Sequence, residues 1–330
     1  MNISEKVHSS SGILVYFEIF KNEIRPVSFE LLGEAYRLSK KSNEAVHIVA
    51  VGKDIDFVRE KIKGFPVKSA YLYETDKFFQ PDIYEKALED CIDKLNPSIV
   101  LIGGTAEGGA LAPRLAVNYR TGLTADCTEL DIDENGNLLQ IRPAFGGNIM
   151  AKIVTENTRP QFATVREKVM QPVKPDFVEN TDFLVQNLDV EESSMKILNI
   201  EDTAEEDSIV NQNILVVAGR GVKKKEDLDM LRELAELLGG KLASSRALVE
   251  KGWMTHKEQI GLSGNTVCPK CMITFGVSGT VQFMAGMKTT PNIIAVNSDP
   301  NARIFEIAHY PICADLYDVV PELIKSLKGL

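Results

Sequence analysis

In the run "NILVVAGRG", Asn213 to Gly221, five consecutive apolar residues end on two glycines that flank an arginine. An apolar run of this length stopped by glycine reads as a strand. A helical pattern from about Lys225 to Leu238 follows it and stops at Gly239-Gly240, as a helix ends at a residue free to turn left-handed. Strand, glycine turn and helix together are the opening unit of an α/β sheet.

Working outward, a second strand, "KLASSR", ends in two serines and an arginine. Later come the apolar run Cys271 to Phe275, the strand "NIIAVN" (Asn292 to Asn297) and a C-terminal helix from about Tyr317 to Leu327. This is an open doubly wound parallel sheet, and such sheets bind ligands outside the carboxyl ends of their strands. Along that edge stand Gly219-Arg220-Gly221, Ser244-Ser245-Arg246, Gly261-Leu262-Ser263-Gly264, the segment "FGVSGTVQFMAGM" (Phe275 to Met287), Asn297 and Ala314-Asp315-Leu316. Glycine lets backbone N–H groups approach a ligand, and hydroxyl, amide and guanidinium groups grip one. Helix starts after such turns favour anions, so the edge suits a nucleotide with a pyrophosphate. Neither G-x-G-x-x-G opening a βαβ unit nor G-x-x-x-x-G-K-[ST] is present, which excludes the standard dinucleotide fingerprint and the P-loop.

The first half of the chain alternates strand-like runs with helical patterns. The strands are "GILVYFEI" (Gly12 to Ile19), "AVHIVAVG" (Ala45 to Gly52), "SAYLYE" (Ser69 to Glu74) and "SIVLIGGT" (Ser98 to Thr105). Helices are expected over Ser28 to Lys41, Ile55 to Ile62 and Pro81 to Leu95, and "PRLAVNY" is expected to open another with Pro113 in its first turn. After Thr121 period-two alternation around Asn135-Gly136 signals a hairpin, and "AKIVTE" and "QFATVR" read as further strands, so this domain is expected to be a mixed α/β sheet domain. Between Gln186 and Asn211 lies an acidic stretch carrying Glu191, Glu192, Glu205, Glu206 and Asp207. The expected division is therefore a first domain over 1–190, an acidic linker over 191–210 and a second domain over 211–330.

A chain of 330 residues suits two domains, and 44% hydrophobic with 25% charged residues is ordinary for a folded protein. A net charge of −10 argues against nucleic acid as a partner, because a phosphate backbone needs a basic face. No apolar run approaches the roughly 20 residues that span a bilayer. The N-terminal residues resemble neither a signal nor a transit peptide, and five scattered cysteines suggest reduced thiols, so a cytoplasmic location is expected.

In order along the chain, "GRG", "SSRALVEKGW", "QIGLSG", "GVSGTVQFMAGMK", "IIAVNSDPNARIF" and "ADLYDVVPEL" resemble the C-terminal FAD-binding domain of the electron transfer flavoprotein alpha subunit. The match spans essentially all of Ile214 to Leu323. The first domain is similar more loosely, through "SIVLIGGT" to "PRLA" and "TGLTADCTEL". The resemblance implies a subunit that carries electrons on FAD as part of a heterodimer with a beta subunit, not a stand-alone enzyme. It further implies a flavin-containing dehydrogenase as redox partner, within simple electron transfer or flavin-based bifurcation. By position, Arg220 would meet the FAD pyrophosphate, and Ser245 and Arg246 would be the Ser-Arg pair whose guanidinium lies against the isoalloxazine ring. Ile260, Gly261, Leu262 and Ser263 form the loop that aims a hydroxyl at the ring nitrogen N5; Ser263 stands where the family commonly has Thr. Ser278, Gly279, Thr280, Val281 and Gln282 would run beside the cofactor. Asn297, Asp315 and Leu316 match the positions at the adenosine end. Phe283 stands where the family commonly places a His that hydrogen-bonds the flavin C2 carbonyl. The resemblance thus implies a flavin whose one-electron state is held less firmly, with Arg246 its main cationic support.

Other motifs receive plainer readings. Cys268-Pro269-Lys270-Cys271 lacks a second ligand pair, so packing is expected rather than a metal or disulfide. His256 and His309 have no Ser or Cys partner in sequence and read as structural. Thr124, Asp126 and Cys127 read as a turn facing the beta subunit, and Lys223 to Lys225 as a solvated helix start. "GGTAEGGA" (Gly103 to Ala110) looks like a phosphate loop, but the family carries no nucleotide in this domain. A second reading is an adenine-nucleotide-dependent α/β enzyme whose C-terminal domain is regulatory.

Overall fold

The computed structural model describes residues 10–144, 149–177, 180–188, 193–200 and 208–329. They form two compact units, one lying within residues 10–200 and the other running from 208. The acidic residues at 191–210 all lie outside the described residues. Within that span, Ser193 and Ser194 donate to the Asp82 carboxylate (2.7 and 2.9 Å), and Met195 O accepts from the Gln80 amide.

The first unit is built on a seven-stranded sheet in the order β12-β5-β4-β1-β6-β11-β7. The strands are β1 (Ile13–Phe17), β4 (Val46–Gly52), β5 (Ser69–Glu74), β6 (Ile99–Gly103), β7 (Leu123–Cys127), β11 (Gln161–Val165) and β12 (Asp182–Asn187). All their pairings are parallel. Alternate residues of β1 feed two cores: Ile13, Val15 and Phe17 on one face, Leu14 and Tyr16 on the other. That is the period-two consequence of a strand covered on both sides. Helices α1 (Pro26–Ser42), α2 (Phe57–Lys61), α3 (Pro81–Leu95) and α4 (Ala106–Asn118) connect the strands. Proline starts α1 and α3, where its missing N–H is not needed, and Asn43 and Asn96 end them in the left-handed region. The antiparallel elements stand apart from the large sheet: a short ribbon of β2 (Ile19–Phe20) with β3 (Glu23–Ile24), and β8 (Glu129–Ile132), β9 (Leu138–Ala144) and β10 (Ile149–Ile153). The expected hairpin is β8–β9, turning at Gly136 with φ 78°.

Some elements differ from the sequence expectations. Pro113 lies inside α4, not in its first turn, because Thr105 caps the helix about two turns earlier by accepting from Gly108 N–H. Thr124 to Cys127 are strand β7 at the sheet's edge, not a turn. Gly108 is a packing residue, since a Cβ there would stand 2.0 Å from the Gly103 carbonyl oxygen.

Glu30, on α1, accepts a hydrogen bond from Lys168 N–H at 2.7 Å, yet burial dominates and raises its pKa to about 7. A carboxyl whose folded pKa is raised stabilises below its unfolded value and loses that contribution as pH rises through the folded one. The window here runs from about 4.5 to about 7. Glu30→Gln should therefore gain stability relative to the parent between pH 5 and 8, by roughly 1–3 kcal/mol. Paired melting curves across that range check it; parallel pH profiles would refute it.

The second unit is a six-stranded parallel sheet, β15-β14-β13-β16-β17-β18. Its strands are β13 (Ile214–Ala218), β14 (Lys241–Ser245), β15 (Gln259–Ile260), β16 (Cys271–Phe275), β17 (Ile293–Asn297) and β18 (Tyr310–Cys313). Val216 and Ala218 enter one core and Leu215 and Val217 the other. The chain winds from β13 to β14 and β15, then returns past β13 to β16, so the order reverses between β13 and β16. Helices α5 (Leu228–Leu237), α6 (Arg246–Glu250), α7 (Val281–Met284) and α8 (Leu316–Lys328) complete it. No helix among the described residues is long and apolar enough to cross a membrane.

Candidate functional site

A pocket of about 450 Å³ opens at the carboxyl ends of β13 to β16, beside the point where strand order reverses. Arg220 enters it from the turn after β13, and Ser245 and Arg246 from the β14–α6 junction. Ile260, Gly261, Leu262 and Ser263 enter from the loop after β15, and Ser278, Thr280, Gln282 and Phe283 from the segment after β16. Eleven of the sixteen expected site residues therefore meet in one cavity. Gln259, Ala247, Glu250 and Val277 also line it; they lie within the quoted motifs but are not among the expected site residues.

The segment after β16 bends twice, as its sequence requires. Gly276 has φ 61° and Gly279 φ 76°, both in the left-handed region. Gly276 lets two strand ends interlock: Gly219 N–H donates to Phe275 O (2.9 Å) and Gly221 N–H to Gly276 O (3.0 Å). These two glycines of "GRG" thus give their N–H groups to the neighbouring strand rather than offering them to a ligand. At Gly279 a Cβ would stand 2.1 Å from Ile304 N. The unengaged donors of this segment include Ser278, Gly279 and Thr280, whose backbone N–H groups have no acceptor among the described residues. Thr280 then caps α7 by accepting from Phe283 N–H at 3.3 Å.

The charges around the pocket are uneven. Arg220 is exposed and makes no hydrogen bond or ion pair among the described residues. Arg246 Nε donates to Glu250 Oε1 at 2.8 Å, one helical turn on, with both side chains more than half exposed. Ser263 Oγ accepts from the Gln259 amide at 3.0 Å, and its carbonyl accepts from His256 Nε2–H at 2.8 Å. Free amides, an unpaired guanidinium and an apolar wall that includes Ile260, Leu262 and Phe283 suit a ligand with both phosphate and a flat ring.

The remaining five expected residues do not line the cavity. Gly279 packs against Ile304 and Val281 is the first residue of α7. Asn297 donates to Val277 O (2.8 Å) and accepts from Asp299 N–H, tying β17 to the bent segment. Asp315 caps α8 by accepting from Tyr317 N–H, and Leu316 is buried in the core behind it. Of the residues given plainer readings, His309 Nδ1 accepts from Ile293 N–H, and Cys268 Sγ donates to Thr289 O. Lys223 to Lys225 are exposed, as expected of a solvated stretch, and Lys223 lies over the Tyr317 ring and near Asp315. His256 is the exception, since it holds the loop that carries Ser263.

Comparison with known proteins follows the same two units. A family model described as the electron transfer flavoprotein domain matches residues 13–192, and one described as the electron transfer flavoprotein FAD-binding domain matches residues 208–288. The chain is 44% identical over 324 residues to a protein of Acetobacterium woodii named lactate dehydrogenase (NAD(+),ferredoxin) subunit LctC, covering 96% of this chain and 77% of that one. It is 38% identical over 323 residues to the electron transfer flavoprotein subunit alpha of Thermoanaerobacterium thermosaccharolyticum, covering 96% and 98%. To the protein FixB of Clostridium saccharobutylicum it is 38% identical over 336 residues, covering 100% and 99%. The chain belongs to the electron transfer flavoprotein alpha subunit family, whose members bind FAD and pair with a beta subunit.

Proposed function

We propose that the pocket at the ends of β13 to β16 holds the isoalloxazine ring of FAD, with the pyrophosphate along Arg220 and the Ser278-Gly279 amides. The carrying observation is that donor set: the pocket is lined by Arg220, with an unpaired guanidinium, and by Ser278, with an unengaged backbone N–H, and the unengaged Gly279 N–H follows directly in the chain. FAD, when bound, supplies the redox chemistry. This chain's residues bind it, orient the ring against Phe283 and Ile260, and set the charge around it. Asn297, Asp315 and Leu316 act on the adenosine end chiefly by fixing the backbone there. The redox partner is a flavin-containing dehydrogenase, and the complex works in the cytoplasm. The likeness to a subunit of an NAD(+),ferredoxin lactate dehydrogenase favours a bifurcating complex over a simple carrier. Co-purification with the beta subunit, followed by release and identification of the nucleotides, tests this. One FAD for this chain plus a second FAD in its partner supports bifurcation; AMP in the partner points to simple transfer, and no FAD at all refutes the site.

Arg246 and Glu250 make an opposed pair of expectations. A cation near the ring stabilises the negative charge that reduction brings, and Glu250 offsets part of it. Arg246→Ala should lower the flavin midpoint by tens of millivolts, and Glu250→Gln should raise it by a smaller amount, where about 60 mV is roughly 1.4 kcal/mol for one electron. Redox titration of both holo complexes decides the matter; shifts of the same sign would remove Arg246 from the ring.

A further inference from the structure

Ser263 is held at two points. The Gln259 amide donates to its hydroxyl oxygen at 3.0 Å, and His256 Nε2–H donates to its carbonyl at 2.8 Å. Gln259 itself is almost fully buried, at 3% exposure, and lines the pocket. Its backbone carbonyl accepts from both Asn265 N–H (2.7 Å) and the Asn265 amide (3.0 Å). Gly261 N–H donates to Asn265 O and Gly264 N–H to Gly261 O, closing a tight loop around Ser263. A side chain this confined has a fixed position relative to the hydroxyl it touches.

An amide nitrogen can only donate, so the Ser263 oxygen is the acceptor in that bond. The hydroxyl proton is then free to point elsewhere, and the pocket is the space it faces. Without the amide, the hydroxyl rotor has a choice of directions. We infer that Gln259 is a positioning residue that sets the polarity of the Ser263 hydroxyl, committing it as a hydrogen-bond donor into the pocket. This rests on the reading that the flavin ring lies there. The occupant it selects is a ring atom that accepts a hydrogen bond or gains negative charge on reduction.

The test is a double-mutant cycle in the holo complex with the beta subunit, read as the flavin midpoint potential alongside FAD content and melting temperature. Ser263→Ala removes the donor and should change the ratio of reduced to oxidised flavin at fixed potential by up to tenfold toward oxidised, about 30 mV for two electrons. Gln259→Leu should shift it in the same direction by a comparable factor. In the Ser263→Ala background Gln259→Leu should add nothing, since there is no hydroxyl left to orient. Gln259→Glu keeps the shape and replaces the donor by an acceptor that captures the hydroxyl proton. It should shift the midpoint further than Gln259→Leu, and by less once Ser263 is alanine. If Gln259→Leu does not fold, the Gln259→Glu comparison carries the same decision. Independent, additive shifts would overturn the inference, as would an unchanged midpoint in both Gln259 variants while Ser263→Ala moves it. An unchanged midpoint in Ser263→Ala itself would refute the underlying placement of the ring.

Discussion

Gly279→Ala is expected to destabilise the second unit by several kcal/mol and to strip the chain of FAD even with the beta subunit present. Two costs act at once. The left-handed backbone at φ 76° costs an L-residue roughly 1–2 kcal/mol. The new Cβ would also stand 2.1 Å from Ile304 N, inside the turn that follows β17, so one of the two segments must move. Ile304 N–H donates to Ser278 O at 3.3 Å, so movement there breaks the contact that fixes Ser278 beside the pocket. Against a total stability of roughly 5–15 kcal/mol, this is a large loss. The chain supplies its own control. Gly239 is also left-handed, at φ 67°, but has nothing within 4 Å of an added Cβ. Gly239→Ala should cost only about 1 kcal/mol and leave FAD content unchanged. Melting curves and flavin content of the two complexes separate the explanations. Equal, small losses at both sites would mean the close approach at Gly279 relaxes freely.

The contrast shows what a sequence can and cannot disclose. The central strands of both sheets are readable because their apolar runs are covered on both faces, and β5 and β16 fall on the expected residues. The edge strands are not. β12 is mostly exposed, so its pattern resembles the polar stretch beside it. β18 carries Pro311, which an edge strand tolerates because the N–H that proline lacks is not needed on its unpaired side, but which reads as a break. The site's loops are recognisable because turns at strand ends need particular small and polar residues. The reason for each residue is less visible. Gly219 and Gly221 look like ligand-approach glycines, yet they serve the interlock with Gly276. Gln259 and Glu250 lie within the quoted motifs, but their roles are not legible there, because a buried amide and a helix-turn carboxylate mean something only beside Ser263 and Arg246.

Phe283 is where this difference matters most, and Phe283→Ala is expected to cost about 3–5 kcal/mol. The sequence expectation treats this position as a departure in flavin tuning. In the fold its ring also has a packing role. It is only 4% exposed and packs in a core with Val217, Ala243, Ile260, Val277 and Met287 while also forming part of the pocket wall. Truncation to alanine would open a void in that core and remove the wall together. FAD should be lost in proportion to the destabilisation. Phe283→Leu, which keeps most of the volume, should cost less and retain flavin, by analogy with other size-conserving changes. The N–H of Phe283 itself does not supply the donor that the side chain lacks, since it is already given to Thr280 Oγ1. Phe283→His therefore adds a donor at this position, at a folding cost of roughly 1–3 kcal/mol for a buried polar ring. In the complexes that still hold flavin, the first one-electron potential should rise relative to the second, because a donor favours the charged form. A reductive titration that resolves the two potentials, run beside the melting curves, reads both effects. If Phe283→His folds as well as the parent and leaves the two potentials where they were, the ring is neither core nor wall in the way the geometry requires.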